Sequence, residues 1–183
     1  SQEGIFRHFE ALADDAPLPI VLYNVPARTV TDIQPATLAR IVTAFPEVFV
    51  AVKDATGDIA RVSQHRALVG NDFAQLSGND DLGLAFNASG GTGCISVTAN
   101  VAPRLCAELQ AATLEGSWEE ARRLADRLYL LHDSMFADAS PGPAKYALGK
   151  VRPGFPQELR LPLTEASEAA RAKVDAGLRA AGL

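Results

Sequence analysis

Lys53 stands at the end of an apolar run, residues 48–52, and directly before a polar turn at residues 54–57. A lysine at the end of a buried strand is costly, because its side chain is almost never fully buried without a partner. A lysine amine attacks a carbonyl only when it is neutral, and desolvation at such a position favours the neutral form. Lys53 is therefore either a Schiff-base nucleophile or a lysine that reaches solvent or pairs with Asp54 or Asp58.

Two further side chains could take part in carbonyl chemistry. Tyr23 lies at the end of another apolar run, residues 19–24, and its hydroxyl could relay the protons that imine formation requires. Arg28 follows in the next loop, where its guanidinium could hold a substrate carboxylate through two hydrogen bonds. Taken alone, Tyr23 could instead be an aromatic residue with its hydroxyl in solvent, and Arg28 a solvated loop residue.

The pattern of predicted elements explains how these residues could meet. Apolar runs predict four strands, at residues 19–24, 48–52, 73–76 and 94–98, and helical patterns lie between them. This alternation is typical of βαβ units on a parallel sheet. At about 31 residues per unit, four strands in roughly the first 100 residues fit half of a (β/α)8 barrel, and fit a five-stranded flavodoxin-like sheet less well.

The rest of the chain is predicted to be helical. Helical patterns occur near residues 103–115, 118–136, 143–150 and 165–181. We therefore expect a half-barrel at residues 1–116, followed by a closing helix and a small α-helical C-terminal region at 117–183. Ser117 and Glu120 predict a capping box, and the spacing of Trp118 and Tyr129 predicts that both side chains pack in the core.

The carboxyl ends of all four predicted strands are polar. Ligands bind at these ends in parallel α/β folds, so the side chains there are the candidates for a site. They are Tyr23, Asn24, Lys53, Ser77, Gly78, Asn79, Asp80, Thr98 and Asn100. The glycine cluster at residues 90–93 precedes its strand, which favours a tight turn over a phosphate-binding loop.

Composition excludes several other classes of function. Seventeen basic and 22 acidic residues give a net charge of -5 without long runs, which argues against a nucleic-acid or anionic-membrane surface. Two cysteines and three scattered histidines give little support for a metal site or a Ser-His-Asp triad. No stretch of 18 apolar residues occurs, so we expect a cytoplasmic protein that does not act in a membrane.

Four segments, in this order, closely resemble a known family. They are Tyr-Asn-Val-Pro-Ala-Arg-Thr at 23–29, Val-Lys-Asp-Ala-Thr-Gly at 52–57, Leu-Ser-Gly-Asn-Asp at 76–80 and Gly-Cys-Ile-Ser-Val-Thr-Ala-Asn at 93–100. The family is 4-hydroxy-tetrahydrodipicolinate synthase, also called dihydrodipicolinate synthase, and the similarity extends over all 183 residues. The resemblance implies the C-terminal half of a TIM (β/α)8 barrel, strands five to eight, followed by helices.

The resemblance also implies an activity. The family condenses pyruvate with L-aspartate 4-semialdehyde on the path to diaminopimelate and lysine, as class I aldolases that form dimers or tetramers. A covalent imine between Lys53 and pyruvate would take the place of a cofactor, and Tyr23 would relay protons. Arg28 would bind the carboxylate of the semialdehyde, the backbone at Ile95 would contact pyruvate, and Gly78 would lie beside the site.

Departures from the family pattern leave alternatives open. Asn79 stands where many members carry aspartate. Relatives such as N-acetylneuraminate lyase share the lysine and tyrosine but usually lack the arginine that matches Arg28. The family's first four strands, with the motif that holds the pyruvate carboxylate, are not in these 183 residues. We therefore expect the later part of a longer enzyme, or a catalytically incomplete half-barrel that needs a partner chain.

Overall fold

The computed structural model describes all residues, Ser1 to Leu183, in two compact units, Ser1–Ile95 and Ser96–Leu183. The first unit contains Tyr23, Arg28, Lys53, Gly78, Asn79 and Ile95, whereas Thr98 and Asn100 belong to the second. The boundary expected between residues 116 and 117 falls inside the second unit and stays a prediction. No helix combines the length and the apolar character that crossing a bilayer would require.

The first unit alternates helices with strands. In chain order its elements are α1 (Gln2–Asp15), β1 (Ile20–Asn24), α2 (Pro26–Thr29), α3 (Pro35–Ala44), β2 (Phe49–Asp54), α4 (Ala60–Val69), β3 (Ala74–Ser77), α5 (Gly83–Ala88) and β4 (Gly93–Cys94). A single 3₁₀ turn at Asp80–Leu82 leads into α5. Pro35 begins α3, where its missing N–H has no helical acceptor to lose.

The four strands form one parallel sheet in the order β1-β2-β3-β4. The register pairs Tyr23 with Lys53 across β1 and β2, and Lys53 with Leu76 across β2 and β3. Sequential parallel order with intervening helices is the arrangement of consecutive βα units in a barrel. The predicted fold class, the C-terminal half of a (β/α)8 barrel followed by helices, is confirmed.

All four strands differ from the predicted ranges at one or both ends, and by more than one residue at the ends of β2 and β4. β2 continues through Lys53 and Asp54, although the apolar run ends at Val52 and the predicted turn begins at Asp54. β4 contains only Gly93 and Cys94, although the apolar run predicts a strand to residue 98. The backbone instead turns, because the Ser96 hydroxyl accepts the Ala99 N–H at 2.8 Å and favours a local turn over a ladder.

The two faces of the sheet differ in character. One face packs on α1, α3 and α4 through a core that contains Phe6, Leu22, Ile33, Leu38, Ile41, Phe49, Val52 and Phe73. Side chains alternate between faces along a strand, so Leu22 and Asn24 are buried while Val21 and Tyr23 remain exposed. The core therefore holds the sheet from one side and leaves Tyr23 and Lys53 on the other.

The second unit is helical. It contains a 3₁₀ turn at Thr98–Asn100, then α6 (Pro103–Leu114), α7 (Trp118–Ser134), α8 (Gly142–Val151) and α9 (Glu168–Ala181). Thr98 and Asn100 lie in that turn, so the prediction that they end a strand was wrong. Gly177 permits close packing of α9 on α7, since a Cβ there would lie 2.8 Å from the Cα of Leu131.

Two local predictions for α7 were wrong. Ser117 makes no side-chain capping hydrogen bond, and Glu120 pairs with Arg123 at 2.6 Å. The Ser117 N–H, which Glu120 would accept in a capping box, donates to the Ala112 carbonyl at 2.8 Å instead. Trp118 and Tyr129 are 38% and 56% exposed. The buried stripe of α7 runs through Ala121, Leu124, Leu128 and Leu131, and Tyr129 is rotated about 100° from its neighbour Leu128.

Candidate active site

The structure brings Lys53 and Tyr23 together at the carboxyl end of the sheet. They are register partners on neighbouring parallel strands, and the Lys53 Nζ atom lies 4.2 Å from the centroid of the Tyr23 ring. Lys53 is half-buried and Tyr23 is 49% exposed, so both can meet a small molecule from solvent. An amine beside a phenol is the pair that reversible imine formation needs.

Lys53 does not pair with Asp54 or Asp58, the two aspartates that offered an alternative to a catalytic role. The Asp54 Oδ1 atom accepts the Thr56 N–H at 2.8 Å and the Thr56 hydroxyl at 2.6 Å. Asp58 Oδ1 accepts the Ala60 N–H at 3.0 Å, near the start of α4. Both carboxylates therefore shape the connection from β2 to α4, and the Lys53 amine remains available at the strand end.

Gly78 lies where two strand-end connections touch. Its N–H donates to the Asp54 carbonyl at 2.7 Å. A Cβ at this position would lie 2.6 Å from the Ala55 Cβ and 3.2 Å from the Asp54 carbonyl oxygen. Only glycine permits this approach, which joins the connection after β3 to the strand end that carries Lys53.

Asn79 and Ile95 are held by Ser77, the last residue of β3. The Ser77 hydroxyl donates to the Asn79 carbonyl at 2.8 Å and accepts the Asn79 N–H at 3.1 Å. The Ile95 N–H donates to the Ser77 carbonyl at 2.9 Å, so both connections are joined to the end of β3. Asn79 lines a small crevice together with Asp54 and Ser77 rather than with Lys53.

Arg28 is exposed and forms no ion pair. It lies in α2, within the connection from β1 to α3, and its N–H donates to the Val25 carbonyl at 2.9 Å. The structure shows no direct contact between Arg28 and Lys53 or Tyr23. A guanidinium without an internal partner is free to bind an external carboxylate.

Sequence reasoning missed a layer of buried polar side chains on the opposite face of the sheet. The layer contains Asn24, Asp54 and Gln75 from the strands, with Arg61 and His65 from α4. All five are at most 8% exposed. The only signal in the sequence is the strand alternation, which sends Asn24 and Asp54 to the face opposite Tyr23 and Lys53.

The surroundings of His65 in this layer favour its neutral form. Burial lowers the pKa of His65, and the negative charge of Asp54 opposes that effect without reversing it. The Gln75 amide nitrogen donates to the Val62 carbonyl at 3.0 Å, so its Oε1 atom faces the His65 Nδ1 atom at 3.2 Å. Nδ1 therefore carries the proton, and His65 Nε2 and Asp54 Oδ2 are buried without a hydrogen-bond partner.

Comparison with known protein families finds close relatives of this chain. The family model described as "Dihydrodipicolinate synthetase family" matches residues 1–181. Relatives called 4-hydroxy-tetrahydrodipicolinate synthase are 56% identical in Erythrobacter litoralis and 57% identical in Sphingopyxis alaskensis, each over 183 residues. The match covers 100% of this chain and 62% of each relative, so the chain spans about three fifths of their length.

Solved structures agree with the sequence comparison. Dihydrodipicolinate synthase from Thermotoga maritima has a TM-score of 0.93 at 36% identity, covering 100% of this chain and 62% of that one. The synthase from Methylacidiphilum fumariolicum has a TM-score of 0.94 at 39% identity, covering 100% and 60%. The Acinetobacter baumannii synthase, solved with pyruvate, has a TM-score of 0.90 at 34% identity, covering 100% and 62%.

Proposed function

The chain belongs to the dihydrodipicolinate synthetase family, and on that premise we propose that it carries the imine-forming lysine of a synthase that condenses pyruvate with L-aspartate 4-semialdehyde. The observation that supports this most strongly is the Lys53–Tyr23 pair, with the amine 4.2 Å from the ring centroid at the carboxyl ends of adjacent parallel strands. Lys53 lies in a strand rather than a loop, so its position is set by hydrogen bonds on both sides.

In the proposed reaction the neutral Lys53 amine adds to the keto carbon of pyruvate and forms a carbinolamine. Loss of water then gives the imine, and removal of a methyl proton gives an enamine whose carbon attacks the aldehyde of the second substrate. The amino group of that substrate then adds to the imine carbon and displaces the Lys53 amine, which closes the ring of the product and frees the lysine. Each step moves a proton, and in this proposal the Tyr23 hydroxyl relays it, which the position of the Tyr23 ring beside the Lys53 amine supports. No cofactor is needed, because the imine itself withdraws electrons from the carbon that reacts.

The remaining site residues have supporting roles in this proposal. Arg28 binds the carboxylate of the semialdehyde through its unpaired guanidinium, and the Ile95 backbone contacts pyruvate. Gly78 keeps the neighbouring connection close to the end of β2, and Asn79 lies in that same connection. The product class is 4-hydroxy-tetrahydrodipicolinate, a precursor of diaminopimelate and lysine, and the reaction takes place in the cytoplasm in a homo-oligomer.

Another pyruvate-dependent aldolase would share Lys53 and Tyr23 but act on a different aldehyde. Arg28 and the names of the relatives favour the synthase. A half-barrel without catalytic activity, acting only as a structural partner, would need neither an unpaired arginine nor a lysine without an ion-pair partner.

Borohydride trapping tests the proposal directly. The native polypeptide that contains these residues is incubated with pyruvate and borohydride, and the peptide that carries the adduct is identified by mass spectrometry. We expect one reduced adduct, on Lys53, and its loss in Lys53→Arg together with loss of condensation activity by at least about 1,000-fold. Lys173→Arg is the matched control, since Lys173 is exposed on α9 and should leave both unchanged.

An adduct that persists undiminished in Lys53→Arg would overturn the proposal. So would the absence of any adduct on the wild-type polypeptide in the presence of saturating pyruvate.

A further inference from the structure

We infer that Arg61, acting through Asp32 and Asn24, positions the connection that carries Arg28 and thereby sets how tightly the site holds the carboxylate of the aldehyde substrate. The inference deepens the proposed function and rests on it for the role of Arg28. Arg61 is a positioning residue in this account, because it acts through Arg28 and does not touch a substrate.

The connection runs from Val25 to Gln34, between β1 and α3. Hydrogen bonds hold its two ends together at Asn24, Asp32 and Ile33, which we call the base of the connection. The Asn24 side chain makes the tie from the end of β1. Its Nδ2 atom donates to Asp32 Oδ1 at 2.8 Å, and its Oδ1 atom accepts the Ile33 N–H at 3.1 Å. A compact loop whose ends lie close together is a common carrier of functional residues.

Arg61 fixes the same base from a different element. It lies in α4, and its side chain is only 9% exposed. One guanidinium nitrogen donates to the Ile33 carbonyl at 3.1 Å, and the other forms an ion pair with Asp32. A buried guanidinium with a geometrically matched carboxylate is costly to disrupt, because removing either partner leaves the other uncompensated. This pair therefore ties the end of the connection to α4.

The middle of the connection is shaped locally. The Thr29 hydroxyl lies 2.8 Å from the Thr31 carbonyl and 3.2 Å from the Val25 carbonyl, to either of which it can donate. Val30 adopts a φ of 52°, in the left-handed region that a β-branched residue rarely occupies. Val30 is the C-cap residue of α2, where its N–H donates to the Pro26 carbonyl at 2.9 Å and a left-handed residue ends the helix.

Lys53 does not depend on these ties. It is positioned by the ladder of β2 with β1 and β3, whereas Arg28 has no partner of its own. Loosening the base should therefore weaken recognition of the aldehyde carboxylate and leave imine formation intact. A general loss of structure would instead impair both steps together.

The test compares Arg61→Met with Arg66→Met in the native polypeptide. Arg66 is five residues further along α4 and donates to the Ser89 carbonyl at 2.7 Å, away from the connection. We expect Arg61→Met to raise the KM for L-aspartate 4-semialdehyde by about tenfold to a hundredfold. Trapping of pyruvate on Lys53 should stay within about twofold of wild type in both variants, and Arg66→Met should keep the wild-type KM.

A second arm separates positioning from a general structural effect. In an Arg28→Met background the addition of Arg61→Met should not raise the KM further, because the residue through which Arg61 acts is already absent. Fully additive effects, or an unchanged KM in Arg61→Met, would overturn the inference. If Arg61→Met does not fold, Asp32→Asn removes the charge of the partner and gives the same readouts.

Limited proteolysis tests the positioning role without relying on enzyme activity. Trypsin cleavage after Arg28 reports opening of the connection, and it should be several-fold faster in Arg61→Met than in wild type or Arg66→Met. Equal cleavage rates would refute the positioning role whatever the enzyme does. Absence of a pyruvate adduct on wild-type Lys53 would refute the proposed function instead, so the two failures are distinguishable.

Discussion

Gly78 and Val30 show how single residues shape the candidate site through the backbone. At Gly78 the neighbours leave no room for a side chain, since Ala55 and the Asp54 carbonyl occupy the position a Cβ would take. At Val30 a left-handed backbone is imposed on a residue that disfavours it. Both lie in connections that follow strands of the candidate site, where precise backbone placement has functional value.

Gly78→Ala is expected to reduce both stability and activity. The added methyl would lie 2.6 Å from the Ala55 Cβ, so one of the two connections must move. We expect a loss of about 1–3 kcal/mol in the free energy of unfolding, measured by denaturant titration. Gly4→Ala is the control: a Cβ there meets only the Ser1 hydroxyl, at 3.4 Å, so the helix should gain up to about 1 kcal/mol. Equal effects of the two variants would contradict the packing explanation.

Single site residues could be predicted from the sequence where they follow an apolar run. They could not be predicted where their contacts join residues far apart in the sequence. Lys53 and Tyr23 could be found because each follows a run that marks a strand. Arg61 and Asp32 could not, because they are 29 positions apart and each has the pattern of an exposed residue. Arg28 stands out only through the family motif that contains it.

α4 supplies the helical residues that contact the buried polar side chains of the sheet. It contributes Arg61 to the base of the Arg28 connection and His65 to the buried layer, where the His65 ring contacts Gln75 of β3. The helix is amphipathic only weakly by sequence, because its buried face includes these two polar side chains beside Val62. The helix ends at Val69, and Gly70 is its C-cap.

The neutral state of His65 predicts a pH dependence of stability. Burial lowers the folded-state pKa of His65, while the unfolded chain has a pKa near 6.5. Above about pH 6.5 neither state binds the proton, so His65 has no effect on the pH dependence there. As pH falls below about 6.5 the unfolded state gains a proton that the folded state lacks, and stability decreases by at most about 1.4 kcal/mol per pH unit.

Thermal unfolding between about pH 8 and pH 5 measures this effect. His65→Gln should flatten the decrease below about pH 6.5, and His8→Gln, at an exposed position on α1, should reproduce the wild-type curve. An unchanged slope in His65→Gln would show that another group is responsible.

At the scale of the whole molecule, the order of the elements was the most predictable property. Four short apolar runs separated by helical patterns correctly predicted four parallel strands in sequential order. The exact strand ends were less predictable, because Lys53 and Asp54 have low strand propensity and are included in β2 by its ladder with β1. The helical second unit was predicted, whereas the exposure of Trp118 and Tyr129 was not.

Pyruvate should stabilise the native polypeptide if the proposed reaction takes place. A ligand that binds only the folded state adds about 2.7 kcal/mol at a hundred times its dissociation constant. Thermal shift with pyruvate should therefore give a concentration-dependent rise in Tm that is lost in Lys53→Arg and kept in Lys173→Arg. A rise of equal size with acetate would indicate general anion binding and count against an imine.

The alternation of side chains along β1 and β2 limits how this protein can change length. Tyr23 and Asn24 are consecutive, as are Lys53 and Asp54, and in each pair one side chain belongs to the candidate site and the other is buried. A one-residue insertion or deletion before Lys53 within β2 would exchange the two faces. Evolution by insertion and deletion is therefore confined to the connections, and libraries that vary length should leave both strands untouched.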